Sequence, residues 1–364
     1  VATQTATPES VFPFASASSR KSRVLALLLL LSIGAYFWVG SRYPALYRKY
    51  SQGTSIKMTG AITFGTVYAV DRNMPLPQRV WRTTANWLQA NEIGMSFGFF
   101  FGAAALTFLT MLPRSRTKNR YLNALIGAAT GAPLGVCANC VVPIARGLYA
   151  SGMSTESVLA AMFSSPSLNV IVLAMAVALF PLPVFALKMV TVLLLIFGVA
   201  PVVGTRPPHA ETVDSAIFVP ASETWAGAFR STALSFAKSF WYVFRIGAPL
   251  MLLAAVLGAL VIEFLPQHPL TATAHVTLPG IVLVALIGAF LPVPMAFDVV
   301  IAYLAMKNGV PLPYVVTLLC ALGIYSVYSF AVLGKTISWK VASVTYGAIV
   351  FLGIVAGAAT RLLG

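Results

Sequence analysis

Long apolar runs alternate with short polar stretches along the chain, and the run lengths set the first expectations. A helix needs about 20 apolar residues to cross the hydrocarbon core of a bilayer. Val24–Val39, Ile93–Leu112, Val158–Phe180, Pro183–Val203, Trp241–Phe264, Leu312–Leu333 and Val341–Leu362 each read as a span. Val24–Val39 is short, and its basic front (Arg20, Lys21, Arg23) looks like a signal peptide. Ser41-Arg-Tyr-Pro follows it, however, in place of a small-residue cleavage site. A retained first helix is expected, with Tyr36 and Trp38 at the interface.

Two further apolar runs are interrupted. Tyr121–Ala150 is broken by Gly131-Ala-Pro133 and by Cys137-Ala-Asn-Cys140-Val-Val-Pro143, and Leu278–Met306 by Pro292-Val-Pro294. The polar stretches have their own pattern. Residues 42–90 carry seven basic residues, and Val80–Leu88 reads as a helix lying at the membrane surface. Residues 204–237 form a linker whose end is amphipathic, with Trp225, Phe229, Ala233, Phe236 and Phe240 at helical spacing. Residues 1–19 are Ala/Ser/Thr/Pro-rich and expected to be a mobile arm. The organisation is then an arm (1–23), a transmembrane helix (24–40), a polar connection (41–91), a first repeat (92–203), a linker (204–239) and a second repeat (240–364).

Composition agrees. Of 364 residues, 59% are hydrophobic and 9% charged, where a soluble chain carries about 25% charged residues. This excludes a soluble enzyme, a disordered tail and a collagen-like fibre. Three cysteines cannot make a disulfide framework. The net charge of +15 comes from basic residues in loops beside apolar runs, as at Arg114-Ser-Arg116-Thr-Lys118-Asn-Arg120. That is a topological signal, Lys and Arg staying at the cytoplasmic face beside anionic lipid. No nucleic-acid module accompanies it. The expected class is an all-α polytopic membrane protein.

A gap-free shift of 157 residues places Gly131-Ala132 on Gly288-Ala289, Leu134 on Leu291, Val136 on Val293 and Val142 on Val299. It also places Ile144-Ala145 on Ile301-Ala302, Gly152 on Gly309, Val158 on Val315 and Val170 on Val327. Weak internal symmetry with Gly/Pro-broken segments in matching positions points to a transporter's binding site. If each broken segment dips in and returns, three spans separate the two, and the repeats are inverted. Loop charge favours inversion: Arg114, Arg116, Lys118 and Arg120 precede the first broken segment, whereas Leu265–Leu278 holds no Lys or Arg. The basic residues between Arg42 and Arg82 fit that scheme less well.

Candidate chemistry gathers at the breaks. Irregular backbone at membrane depth is tolerated only inside protein or beside a water-filled cavity. Cys137 and Cys140 would place two soft sulfur ligands there beside the Asn139 amide, suited to Cu(I) or a trivalent metalloid. The competing reading is a pair of buried cysteines acting as small hydrophobes. Haem c attachment is excluded because Val141, not His, follows Cys140. A zinc site lacks nearby third and fourth ligands. Ser164-Ser165-Pro166-Ser167-Leu168-Asn169 interrupts the next span, as a polar lining or as a kink in which Ser hydroxyls bond back to the preceding turn. Asp298 is the one acid deep in an apolar segment, and such residues mark pathways, relays or buried pairs; an Asp at a helix end reaching water is the alternative. Lys188 is its partner or snorkels to the surface. Arg146 is expected to cap the break or reach the headgroups. No enzyme constellation is found: His209, His268 and His275 lie in or near polar linkers, and no paired carboxylates, phosphate loop or nucleophile elbow occurs. No cofactor is expected.

Cys137-Ala-Asn-Cys140-Val-Val-Pro143-Ile-Ala-Arg146-Gly-Leu, then Gly152, then Ser164-Ser-Pro166-Ser-Leu-Asn169 resemble the predicted-permease family that includes the ArsP-type organoarsenical efflux permeases. The resemblance covers residues 125–175 well and about 285–345 weakly. It implies some eight spans in a bacterial inner membrane and efflux of a small thiophilic solute, with the cysteine turn at the substrate site. Pro143, Ser164, Ser165, Pro166 and Asn169 fall within the resembling motifs. The family commonly has C-x-C-G, where Asn139 and Cys140 stand here. In the second half, Pro294-Met-Ala-Phe and Leu322-Gly-Ile-Tyr325 are expected to lack the polar break. Two functions follow. One is a secondary permease, with Cys137 and Cys140 binding solute, Asn139, Ser165 and Asn169 lining the path, and Asp298 coupling a proton or pairing with a cation. The other is a non-transporting subunit of a larger membrane complex with partner chains. A thiol-redox enzyme would need a reversible Cys137–Cys140 bond.

Overall fold

A computed structural model describes residues 19–44, 47, 67–71, 73–112, 118–204, 224–264 and 275–360. Residues 1–18 of the expected N-terminal arm, the Arg114–Arg116 part of the basic loop and residues 205–223 of the linker lie outside the described residues, whereas Arg20–Arg23, expected in the arm, are the first turn of α1. The described residues form helices joined by turns. They are α1 (Arg20–Phe37, continued by a π-helical turn, Trp38–Arg42), α2 (Leu76–Thr110), α3 (Arg120–Gly131), α4 (Val141–Ala150), α5 (Thr155–Ser167) and α6 (Val170–Leu179). Then come α7 (Leu182–Leu194, running on through Val203), α8 (Trp225–Phe264), α9 (Leu278–Phe290), α10 (Phe297–Lys307), α11 (Leu312–Ala321), α12 (Val327–Thr336) and α13 (Trp339–Ala359). Five of these, counting the continuations of α1 and α7, are long and apolar enough to cross a bilayer, and α5 with α6 makes a sixth span bent by 49°.

Local sequence explains the ends. Ser19, Asn119, Ser154, Asn169, Thr277, Ser326 and Ser338 each cap a helix by accepting a backbone N–H from its first turn. Pro77, Pro183 and Pro313 sit in first turns, where no intrahelical N–H is lost.

Two expected boundaries disappear. Val80–Leu88 is not a separate surface helix but part of α2, because no breaker stands before Ile93 and its polar side chains Thr83, Thr84 and Asn86 are buried against protein. The amphipathic end of the linker likewise continues into Trp241–Phe264 as α8. These two long helices run antiparallel along their whole length. Thr107 Oγ1 donates to Ser239 Oγ (2.9 Å), Phe99 covers Gly247, Trp87 packs on Ala255, and Arg79 Nε lies 3.2 Å from Glu263 Oε2.

The direction of α4 follows from its neighbours. α3 and α5 lie parallel: Asn123 Nδ2 donates to Glu156 Oε1 (2.7 Å), Gly127 meets Ser157, and Gly131 meets Ala161 and Ser164. The short turn at Ser151–Ser154 joins α4 to the start of α5, so α4 must carry the chain back to the end where α3 began. α3 and α4 are a re-entrant hairpin. It is seated on α2, where Gly94 admits the Cys140 side chain, Gly98 the Cys140 backbone and Gly102 the backbone of Pro143 and Gly147. Small residues at four-residue spacing permit this approach.

The second half repeats the construction. α9 and α11 are parallel: Tyr314 Oη donates to His275 O (3.0 Å), and Gly288 lies against Leu318 and Ala321. α9 and α10 therefore form a second hairpin. α11 and α12 together run antiparallel along α13, with Pro313 and Thr317 on Gly357, Ala321 on Gly353 and Gly334 on Trp339. Together they follow α13 from one end to the other, with a break at 322–326. Elements recur at a fixed displacement of 157 residues: Val170–Leu179 against Val327–Thr336, cap Asn169 against Ser326, and positive-φ Gly152 against Gly309.

The hairpins open toward opposite ends of the bundle. From α4, Arg146 Nε donates to Tyr242 O (3.3 Å) near the middle of α8, and Nη1 to Thr336 Oγ1 (3.0 Å) at the end of α12. The first hairpin thus opens where α12 finishes, and the second where α11 begins. Arg146 neither caps the break nor reaches outward, since it is buried with its guanidinium stacked on Tyr242 at 4.3 Å.

Candidate functional site

The tip of the first hairpin is built from backbone reversals. After α3 a 3-10 turn, Ala132–Leu134, leads to Gly135 at φ 58°, a left-handed conformation glycine adopts without strain. Cys137 and Cys140 then close a turn and are disulfide-bonded to each other. Cys140 N–H donates to Cys137 Sγ (3.1 Å), and Val141 N–H to Cys137 O (3.0 Å), which starts α4. Cys140 Sγ faces Gly94, and Cys137 Sγ lies 3.7 Å from Asn91 Oδ1. In this oxidised form neither sulfur is a thiolate. Pro143, in the first turn of α4, lays its ring against Gly98.

Asn139 sits between the cysteines, fully buried. Its Nδ2 donates to Val293 O (3.1 Å) at the tip of the second hairpin, and its Oδ1 accepts from Ser326 Oγ (2.7 Å) at the start of α12. Ser329 Oγ adds a bond to Ala138 O (3.1 Å), and Trp87 Nε1 donates to Pro292 O (2.6 Å). Three interruptions thus meet on one amide. Ser165 Oγ, 3.4 Å from both Val136 N and Val136 O, ties the tip to α5 just before the fourth.

That fourth interruption follows Ser164-Ser-Pro166-Ser. Asn169 Nδ2 donates to Ser165 O and Pro166 O (3.0 Å each), and its Oδ1 accepts from Val172 N–H (3.0 Å). One side chain thus takes the last carbonyls of α5 and caps α6, so Val158–Phe180 is two helices rather than a straight span. Ser164 Oγ donates to Ala161 O (3.3 Å) where Gly131 packs. The second half has its own break. Leu322–Tyr325 looks apolar in sequence, but Gly323 at φ 77° turns the backbone, and Ser326 supplies the polar cap two residues after Ile324.

Asp298 lies in the first turn of α10, where a helix N-terminus favours a carboxylate. Lys188 of α7 reaches it: Nζ donates to Asp298 Oδ2 (2.5 Å) and to Leu319 O (3.2 Å), with both side chains buried. Lys188 is a partner rather than a snorkelling surface lysine. This pair is distinct from the Asn139 cluster, since different side chains and carbonyls make it. Among the described residues no three of His, Cys, Asp and Glu gather as a metal set.

Sequence reading missed Trp87, Asn91, Ser326 and Ser329. Ser326-x-x-Ser329 has the spacing of a helix cap, and Asn91 follows Trp87 by one turn with Nδ2 donating to its carbonyl (2.9 Å). Only the partners, 187 and 191 residues away in sequence for the two serines, mark these as tip residues.

Among curated proteins the chain is similar to UPF0718 protein YraQ of Escherichia coli strain K12, at 23% identity over 247 residues, covering 68% of this chain and 70% of that protein. No solved structure matches. The ArsP_1 family, described as predicted permease, matches residues 97–362, from the middle of α2 through both hairpins and beyond α13. A multi-pass helical bundle carrying that match over most of its length belongs to the ArsP_1 family of predicted permeases.

Proposed function

We propose that this chain is a secondary permease of a bacterial inner membrane, built from two inverted repeats, which exports a small thiophilic solute through a site where the hairpin tips meet. The observation that carries the reading is Asn139, at the tip of the first hairpin, bonded at once to Val293 O at the tip of the oppositely opening second hairpin and to Ser326 Oγ at the break before α12. Repeats related in this way, with broken helices meeting between them, suit alternating access: rocking one repeat against the other exposes a central site to each side in turn. The 157-residue displacement of helix ends and caps supports the duplication.

In this reading the reduced cysteines hold the solute, a metalloid, soft metal or sulfur species, for which thiolates are the matching ligands. Asn139, Ser165 and Asn169 line the way and exchange their present partners as the tips part. Lys188 and Asp298 couple the movement to an ion or proton, being charges that lose or keep each other as the second hairpin shifts against α7.

The test is accumulation of a trivalent arsenical by everted membrane vesicles under reducing conditions. Wild type should accumulate it, with Cys137→Ala and Cys140→Ala near background. Equal accumulation by all three removes the thiol mechanism. No accumulation by wild type, together with co-purifying partner chains, favours the accessory-subunit reading. The paired cysteines support a second reading, thiol–disulfide exchange within the membrane; it requires that a dithiol be oxidised as it reduces Cys137–Cys140, and that the reduced pair re-form its bond by passing the two electrons to a second, substrate disulfide.

A further inference from the structure

Arg42 closes the π-helical turn at the end of α1, outside the family-matched stretch. It is 9% exposed, and its guanidinium lies over the Phe37 ring at 4.4 Å. Nε is buried without a hydrogen-bond partner, and no described acid pairs with the group. Of the described acids, Glu263 is taken by Arg79, Asp298 by Lys188 and Glu156 by Asn123, while Asp71 and Glu92 are exposed. The sequence from 43 to 70 contains no Asp or Glu.

The group is held over the tip of the first hairpin. A Cβ on Gly135 would lie 3.7 Å from Arg42 Nε and 3.8 Å from the Trp38 ring. Trp38 Nε1 donates to Pro133 O (2.9 Å), so α1 is fastened to the tip on the side that bears the guanidinium. Phe37 stacks on Phe97 at 3.8 Å, one turn along α2 from Gly94, the residue that meets Cys140. A buried cation is ordinarily paired or hydrogen-bonded, and an ionisable residue inside a membrane bundle marks a function by default. Guanidinium presents a planar fork matched to carboxylate and oxyanion groups.

We propose that Arg42 is a specificity residue of the cysteine tip, selecting solutes that carry a carboxylate or oxyanion group as well as a thiophilic centre. The proposal rests on the permease reading and narrows its solute to an anion. It also gives α1 a role: the added helix brings a cation to the hairpin tip.

Two probes with the same warhead separate the possibilities: phenylarsine oxide, which is neutral, and its para-carboxylate. Binding is measured on full-length protein, reduced with a phosphine, in phosphatidylcholine nanodiscs. Wild type should bind the carboxylate about tenfold more tightly, the worth of one charge-assisted hydrogen bond. Arg42→Gln should equalise the two probes and leave phenylarsine oxide unchanged, and Arg42→Lys should restore part of the preference. Equal binding of both probes by wild type overturns the proposal, as does equal weakening of both by Arg42→Gln, which would mark a structural role. A preference erased by adding phosphatidylglycerol, with Arg42-dependent lipid retention, assigns the group to a headgroup phosphate and overturns selection of solute. Cys137→Ala and Cys140→Ala should abolish both. If they leave both intact the thiol site fails, while the charge preference still reports on Arg42.

Discussion

Lys188 Nζ stands 2.5 Å from Asp298 Oδ2, joining α7 of the first half to the returning arm of the second hairpin by one buried ion pair. At the positions displaced by 157 residues stand Thr345 and Val141. The charge is therefore built into one of two corresponding places, so the architecture alone does not demand it. A buried pair is costly to assemble and costlier to break. Lys188→Met or Asp298→Leu alone should destabilise by about 3–5 kcal/mol, because each leaves an uncompensated charge. The double variant should regain thermal stability in detergent. If coupling is the pair's function, that stable double variant transports without responding to an imposed ion or proton gradient; wild-type gradient dependence would remove the coupling role.

Asn139 offers a sharper test of the tip. Asn139→Ala leaves Val293 O and Ser326 Oγ without their buried partner, at about 1–3 kcal/mol. Ser326→Ala loses that bond and the cap of α12 together. In a double-mutant cycle read by thermal unfolding, the two should couple by at least about 0.5 kcal/mol, as contacting residues do. Strict additivity would mean that the amide and the hydroxyl do not meet.

The glycines of α2 provide a packing prediction. A side chain at Gly98 would strike Cys140 O and the Pro143 ring, and one at Gly127 on α3 would strike the Ser157 backbone. Gly98→Leu and Gly127→Leu should lower the melting temperature or prevent accumulation of folded protein, overpacking costing about 1–3 kcal/mol or more. Gly347, with nothing within 4 Å, is the control, and Gly347→Leu should be neutral.

The disulfide predicts a chemical dependence. Maleimide labelling of Cys137 and Cys140 in denatured membranes should require prior reduction, whereas Cys320, buried and unpaired, labels without it. Retention on immobilised phenylarsine oxide should follow the same reduction. Retention of unreduced protein, or its loss on Cys320→Ser, would count against the cysteine turn as the ligand.

Much of this was legible in the linear chain. Run length and scarcity of charge set the class, and Pro292-Val-Pro294 and Cys137–Pro143 announced two interruptions. The other two were harder. Ser164–Asn169 marked an interruption of Val158–Phe180 but left a polar lining and a mere kink both open, which capping by Asn169 decides, and the largely apolar Leu322–Tyr325 hides a break carried by backbone conformation at Gly323. The start of α2 was misread for the opposite reason. Polarity from Val80 to Leu88 signalled a membrane surface, yet Thr83, Thr84 and Asn86 are polar residues facing protein.

What the sequence determined by itself was that the chain is an all-α polytopic membrane protein, because that depends on how many apolar residues follow one another and on how few charges interrupt them. The tertiary structure alone decided that α4 turns back, that Asn139 reaches two distant breaks and that Lys188 pairs with Asp298. Each of those rests on a contact between segments far apart in sequence, formed because polar groups inside the bundle have no water and must find one another.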